Sequence, residues 1–139
     1  MKSYLIIFIG CFLLFNCSEK KDEYQKLILK SKVINSNIYQ NFKKNKVETI
    51  IFNPTNKAIS FNIMSCNYYS NFKLNNNYLK FENIKCDKNI EQIITLQPNE
   101  FVKYYFTIIN ESKSKNQSYK IGFHNNITNI IWSNTLKFN

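Results

Sequence analysis

Phe101-Val102-Lys103-Tyr104-Tyr105-Phe106-Thr107-Ile108-Ile109 is the stretch whose reading decides the fold. Val102, Tyr104, Phe106 and Ile108 recur at every second position, the period of a half-buried strand rather than of a helix. Upstream, Gln97-Pro98-Asn99-Glu100 closes a β-branched run over residues 90–96. Residues 58–65 alternate through Ile59, Phe61 and Ile63, and Val47-Glu48-Thr49-Ile50-Ile51-Phe52 is a further strand, stopped by Asn53-Pro54-Thr55-Asn56. Phe72-Lys73-Leu74, Asn75-Asn76-Asn77 and residues 78–84 read as a hairpin, with asparagine supplying the positive-φ positions. Downstream, residues 110–118 form a polar loop and residues 119–123 a strand. Ile130, Trp132, Leu136 and Phe138 then place one face of a last strand in the core, where Trp132 is expected to act as a plug. Residues 26–42 fit two patterns. Leu27, Leu29 and Val33 share one face of a strand, whereas Ile34, Ile38 and Phe42 also match a helix. A strand over residues 26–35 is favoured because everything after it is β.

The totals agree with a packed domain. Apolar residues make up 44% and aromatic residues 16% of the 139, a composition that disordered chains lack. With two Gly and two Pro, turns must come from Asn, Ser and Lys. The formal charge is +10, which raises the question of nucleic acid. All nineteen basic residues are lysine, however, and they are scattered. Arginine is the residue suited to bidentate phosphate and guanine recognition, so no nucleic-acid partner is expected.

Seven to nine short strands at near-regular spacing, with no convincing helix, predict an all-β antiparallel sandwich after an N-terminal signal segment. Leu96-Gln97-Pro98-Asn99-Glu100 resembles the Leu-x-Pro-Gly-Glu corner of bacterial immunoglobulin-like domains, with Asn99 in the glycine position. The resemblance covers about residues 26–138. It implies an immunoglobulin-like β-sandwich and brings no activity with it.

The N-terminus carries a different signal. Lys2 precedes twelve mostly apolar residues, Tyr4 to Phe15, too few for a bilayer span of ~20 residues but fitting a signal peptide. Leu14-Phe15-Asn16-Cys17 then gives way to Ser18-Glu19-Lys20-Lys21-Asp22-Glu23. This resembles the lipobox of bacterial lipoproteins, which implies cleavage before Cys17, two or three acyl chains on its thiol, and stable anchoring. Cys11 is the competing cysteine. Cleavage there would shorten the apolar run and leave Phe12 to Phe15 at the mature end, so Cys17 fits better. An ordinary secretory signal or a short membrane anchor are the remaining readings. Lys21-Asp22-Glu23 also looks like the charged tag that routes some lipoproteins to the cell surface. The expected organisation is a leader over residues 1–16, a lipidated cysteine and polar tether over 17–25, and a β-sandwich over 26–139. The expected location is the outer membrane or cell surface, and 139 less 16 leaves 123 residues, one domain.

Chemistry-bearing constellations are scarce. Cys66 and Cys86 are the two cysteines left beyond Cys17, and outside the cytoplasm they are expected to pair. A bridge closing that loop is worth ~3 kcal/mol in the chain-entropy model. His124 is the single histidine and no Cys-x-x-Cys spacing occurs, so neither a metal site nor a cofactor is expected. The domain's acids, Glu48, Glu82, Asp87, Glu91, Glu100 and Glu111, are isolated in sequence, and no nucleophile motif accompanies His124. A non-enzymatic module is therefore expected, with a protease inhibitor or a secreted hydrolase as alternatives. Tyr68-Tyr69 and Tyr104-Tyr105 are the best candidates for a surface that meets a protein or glycan in the envelope. Adjacent strand residues face opposite sides, so one of Tyr104 and Tyr105 must point away from the core.

Overall fold

The computed structural model describes residues 26–39, 42–112, 116–124 and 129–138. The expected leader, Cys17 and tether lie outside these residues. Among the described residues eleven strands follow in order: β1 (Ile28–Tyr39), β2 (Phe42–Phe52), β3 (Ile59–Met64), β4 (Phe72–Leu74), β5 (Leu79–Phe81), β6 (Glu91–Leu96), β7 (Phe101–Asn110), β8 (Gln117–Tyr119), β9 (Ile121–Phe123), β10 (Ile131–Trp132) and β11 (Leu136–Phe138). The protein is all-β and every strand pairing is antiparallel. The pairings form four sets: β1-β2-β7-β5, β10-β9-β4, β11-β8 and β3-β6.

Residues 26–39 resolve the early ambiguity in favour of a strand. Leu27, Leu29 and Ser31 are buried while Ile28, Lys30 and Lys32 are exposed, a period of two. The β1–β2 register runs from Ile28 opposite Phe52 to Tyr39 opposite Phe42 and shifts between Val33 and Asn35. Ile34 is the extra residue of that bulge, which is why it fell out of the strand pattern and mimicked a helical one. On its other edge β1 meets a side chain. The Asn134 amide accepts from the Ser31 N–H at 2.9 Å and donates to the Ser31 carbonyl at 3.0 Å.

The hairpin expected over residues 72–84 does not form. β4 pairs with β9, Phe72 opposite Phe123, and β5 pairs with β7, Leu79 opposite Asn110. The asparagines between them bond outward. Asn75 exchanges bonds with the backbone of Lys120, and Asn76 Oδ1 accepts from the Tyr78 N–H at 3.0 Å. Among the described residues the positive-φ asparagines are Asn99 and Asn116, not Asn75 to Asn77. The stretch is thus a crossover between sheets. Asn99, at φ 64°, does take the backbone conformation that glycine would hold in the corresponding corner.

Trp132 also departs from expectation. It stands opposite Gly122 on β9, whose neighbours Ile121 and Phe123 fill the core, so strand parity puts both Gly122 and Trp132 on the outer face. Trp132 is 38% exposed and lies over Gly122, where an added Cβ would come within 2.8 Å of the indole. Lys73, on the far side of Gly122, places its Nζ 5.8 Å from that ring. Leu136 and Phe138 are buried, as expected of the last strand.

The core is an aromatic chain that joins the sheets. Phe72 sits 4.8 Å from Phe106 and 5.2 Å from Phe123, Phe123 sits 5.1 Å from Phe61, and Phe81 sits 4.9 Å from Phe106. Those five rings come from β3, β4, β5, β7 and β9, so separate hydrogen-bonded sets share one apolar interior.

Candidate functional site

Tyr68 and Tyr69 open a single 3-10 turn, Tyr68–Asn71, between β3 and β4. Asn71 anchors it: its Oδ1 accepts from the Met64 N–H at 3.2 Å, and its carbonyl accepts from the His124 N–H at 2.9 Å. Tyr68 then packs over the inner face of β7, 5.3 Å from Tyr104 and 5.6 Å from Phe106, and its hydroxyl donates to the Tyr105 carbonyl at 2.6 Å. Tyr69 turns the other way and donates to Asn83 Oδ1 at 2.6 Å.

Cys66 and Cys86 meet beside this turn at disulfide distance, with Cα atoms 5.9 Å apart. The 83–89 loop is further held by the Asn67 N–H, which donates to Asn89 Oδ1 at 3.0 Å. Between loop and turn lies an open cleft of about 290 Å³, lined by Asn67, Tyr69, Asn83, Ile84, Lys85, Cys86 and Asn89. Its polar side-chain groups are three amides, the Tyr69 hydroxyl and one ammonium, a set that can exchange hydrogen bonds with a polar ligand and holds no nucleophile–base pair.

The four tyrosines therefore divide. Tyr68, Tyr69 and Tyr104 pack against the core, whereas Tyr105 faces outward, 44% exposed. Burial, with Tyr68 alongside, pushes the Tyr104 phenol up to about 12. Burial raises Tyr68 too, opposed by its bond to the Tyr105 carbonyl. Both stay protonated at neutral pH, so they can donate hydrogen bonds but cannot act as bases.

A second cluster was invisible in the sequence. Glu48 was an isolated acid there, yet on the outer face of β2 its carboxylate lies 3.0 Å from Lys32 Nζ on β1 and 3.5 Å from Lys103 Nζ on β7. The Tyr105 hydroxyl donates to it at 3.1 Å. The Lys32 hydrogen bond, then that of Tyr105 and the charge of Lys103, hold its carboxyl below the usual range despite opposing desolvation. Strand parity placed Glu48 outward. What it would meet there depended on a register that one strand cannot specify.

His124 follows β9 directly and is half-buried. Among the described residues no group of three or more His, Cys, Asp or Glu is arranged to hold a metal ion. Comparison with protein-family models, with curated proteins and with solved structures finds no match for this chain.

Proposed function

We propose that the chain is a bacterial envelope lipoprotein, cleaved before Cys17, acylated on that thiol, and held at the outer membrane or cell surface. The observation that carries this reading is Leu14-Phe15-Asn16-Cys17, which closes a twelve-residue apolar run and is followed by a charged stretch. Behind the tether the domain works as a non-enzymatic binding module on an immunoglobulin-like sandwich. The Leu96–Glu100 corner, with Asn99 at positive φ, and the aromatic interior shared between sheets support that finer assignment. Its partner is a protein or glycan, met at the Tyr69 cleft beside the Cys66–Cys86 pair. A polar cleft built from amides, with Tyr69 as its wall, supports that choice over catalysis.

The test is metabolic labelling with a radioactive fatty acid in a bacterial host. Cys17→Ser is expected to abolish the label and leave an uncleaved or soluble product. Loss of label in Cys11→Ser instead would move the anchor to the other cysteine. Label retained in both variants would overturn Cys17 as the acylated thiol, and no label in the wild type would end the lipoprotein reading.

A further inference from the structure

The outer face of the four-stranded sheet is uneven along its length. At the end where β1 begins, the register aligns Ile28, Phe52 and Phe101 in one row across three strands. Ile28 is 38% and Phe101 56% exposed, and Phe52 between them is half-buried. The next row is Lys30, Ile50 and Lys103, with Lys103 Nζ 5.7 Å from the Phe101 ring. Lys26 and Lys57 share a small recess around the same end, with Thr55, Asn56 and Ile59. Glu100 also lies there, its carboxylate accepting from the Gln97 N–H at 2.8 Å, one acid among these lysines. Lys30 and Lys103 thus flank the three outward apolar side chains in the next row, Lys103 also pairing with Glu48 Oε2 at 3.5 Å, and Lys26 and Lys57 stand at the same end of the strands. Lys26, at this same end, is the first described residue.

We propose that this end of the sheet seats the domain on an anionic bilayer surface. Phe101 and Ile28 enter the headgroup boundary, and Lys26, Lys30, Lys57 and Lys103 meet lipid phosphates. The chemistry selects this occupant. An amphipathic surface with aromatic and aliphatic groups beside lysines binds interfaces through apolar burial plus attraction to anionic lipid. Lysine stems can lie along apolar surface while the ammonium reaches the lipid phosphates. A glycan would need neutral donors and acceptors beside the rings, and the row offers hydrocarbon. The inference rests on the envelope reading, because the tether brings this end to the membrane.

Fluorescence on the full, acylated chain tests it. Wild type carries Trp132 alone, on the outer face of a different sheet, and the double variant Phe101→Trp with Trp132→Phe moves the probe into the row. Both proteins are reconstituted on phosphatidylcholine vesicles with and without phosphatidylglycerol, and quenched with brominated lipid or aqueous iodide. The relocated indole is expected to shift to the blue and be quenched by brominated lipid only when phosphatidylglycerol is present, while Trp132 of the wild type stays iodide-accessible. Raised salt should reverse the shift. Lys30→Glu and Lys103→Glu should each lower the docked fraction about fivefold or more. An indole in the row that remains as iodide-accessible as Trp132, on vesicles that still float with the protein, would overturn the seat and leave the anchor intact. Failure to float would instead count against the anchor. A blue shift that follows protein concentration without lipid, with a doubled mass in sedimentation, would assign the row to a second copy and overturn the proposal. Near-ultraviolet dichroism confirms that each variant is folded.

Discussion

Asn53 is fully buried and uses every polar atom it has. Its Nδ2 donates to the carbonyls of Lys57, Leu96 and Gln97 at 2.8, 2.9 and 3.1 Å, and its Oδ1 accepts from the Thr55 N–H and hydroxyl. Its backbone bonds Glu100 and Asn99, so one residue clasps the corner after β2 to the corner before β7. Asn53→Ala would orphan the buried Leu96 carbonyl and release the Lys57 and Gln97 carbonyls, and is expected to cost about 2–4 kcal/mol, measured as a lower urea midpoint with unchanged slope. Tyr104 gives a pH dependence of definite sign. Its folded value lies above the ordinary 10.0, near 12, so the stability from its neutral phenol is complete below about pH 10. That stability is lost as pH rises towards 12. Ultraviolet titration should show a late tyrosinate step that Tyr104→Phe removes, and the variant should resist alkaline unfolding better. At this scale the sequence was partly legible. Asn99 could be read because a type II corner demands positive φ after proline, while Asn53 looked like any turn residue, since its bonds reach 44 residues away.

Individual strands were legible where burial is one-sided. Val102, Tyr104, Phe106 and Ile108 alternate because one face of β7 packs on the core and the other meets solvent. Pairing was not legible, since pattern says which face is buried and never which edge is matched. β4 and β5 look like a hairpin from either side of Asn75-Asn76-Asn77, yet each finds its hydrogen bonds with a distant strand. Trp132 was misplaced for a related reason: a single last strand was expected to carry it on one face with Leu136 and Phe138, whereas β10 and β11 are separate strands with different partners. Gly122→Ala tests its actual seat: the new methyl would stand 2.5 Å from Ile130 and 2.8 Å from the indole. The expected result is a loss of about 1–3 kcal/mol and a red shift of Trp132 emission as the ring is lifted. The Cys66–Cys86 pair acts at the same scale, tying the 83–89 loop to the 3-10 turn. Replacing both cysteines with serine is expected to cost about 2–4 kcal/mol while leaving the β dichroism spectrum in place. Two titratable thiols in the unreduced protein would contradict it.

Across the molecule, Phe72 holds separately hydrogen-bonded sets together, touching Tyr104 and Phe106 on one side and Phe123 on the other. Phe72→Ala should remove about 3–5 kcal/mol. Because the sheets share that interior, far-ultraviolet dichroism and Trp132 emission should still report one coincident transition at lower urea. Two separated transitions would mean that the sheets are independently stable. The all-β class and the single interior were visible from composition and alternation, whereas the division into four pairing sets arises from edge-to-edge contacts that alternation does not encode, several of them made by strands of only two or three residues. Asn134 carries a last consequence. By occupying the N–H and the carbonyl of Ser31, its amide stands where a neighbouring chain's strand would dock, and the bulge at Ile34 bends the exposed edge away just beyond. Copies packed shoulder to shoulder would meet that border interrupted at Ser31, an obstacle to continuous ribbon-like polymerisation along β1.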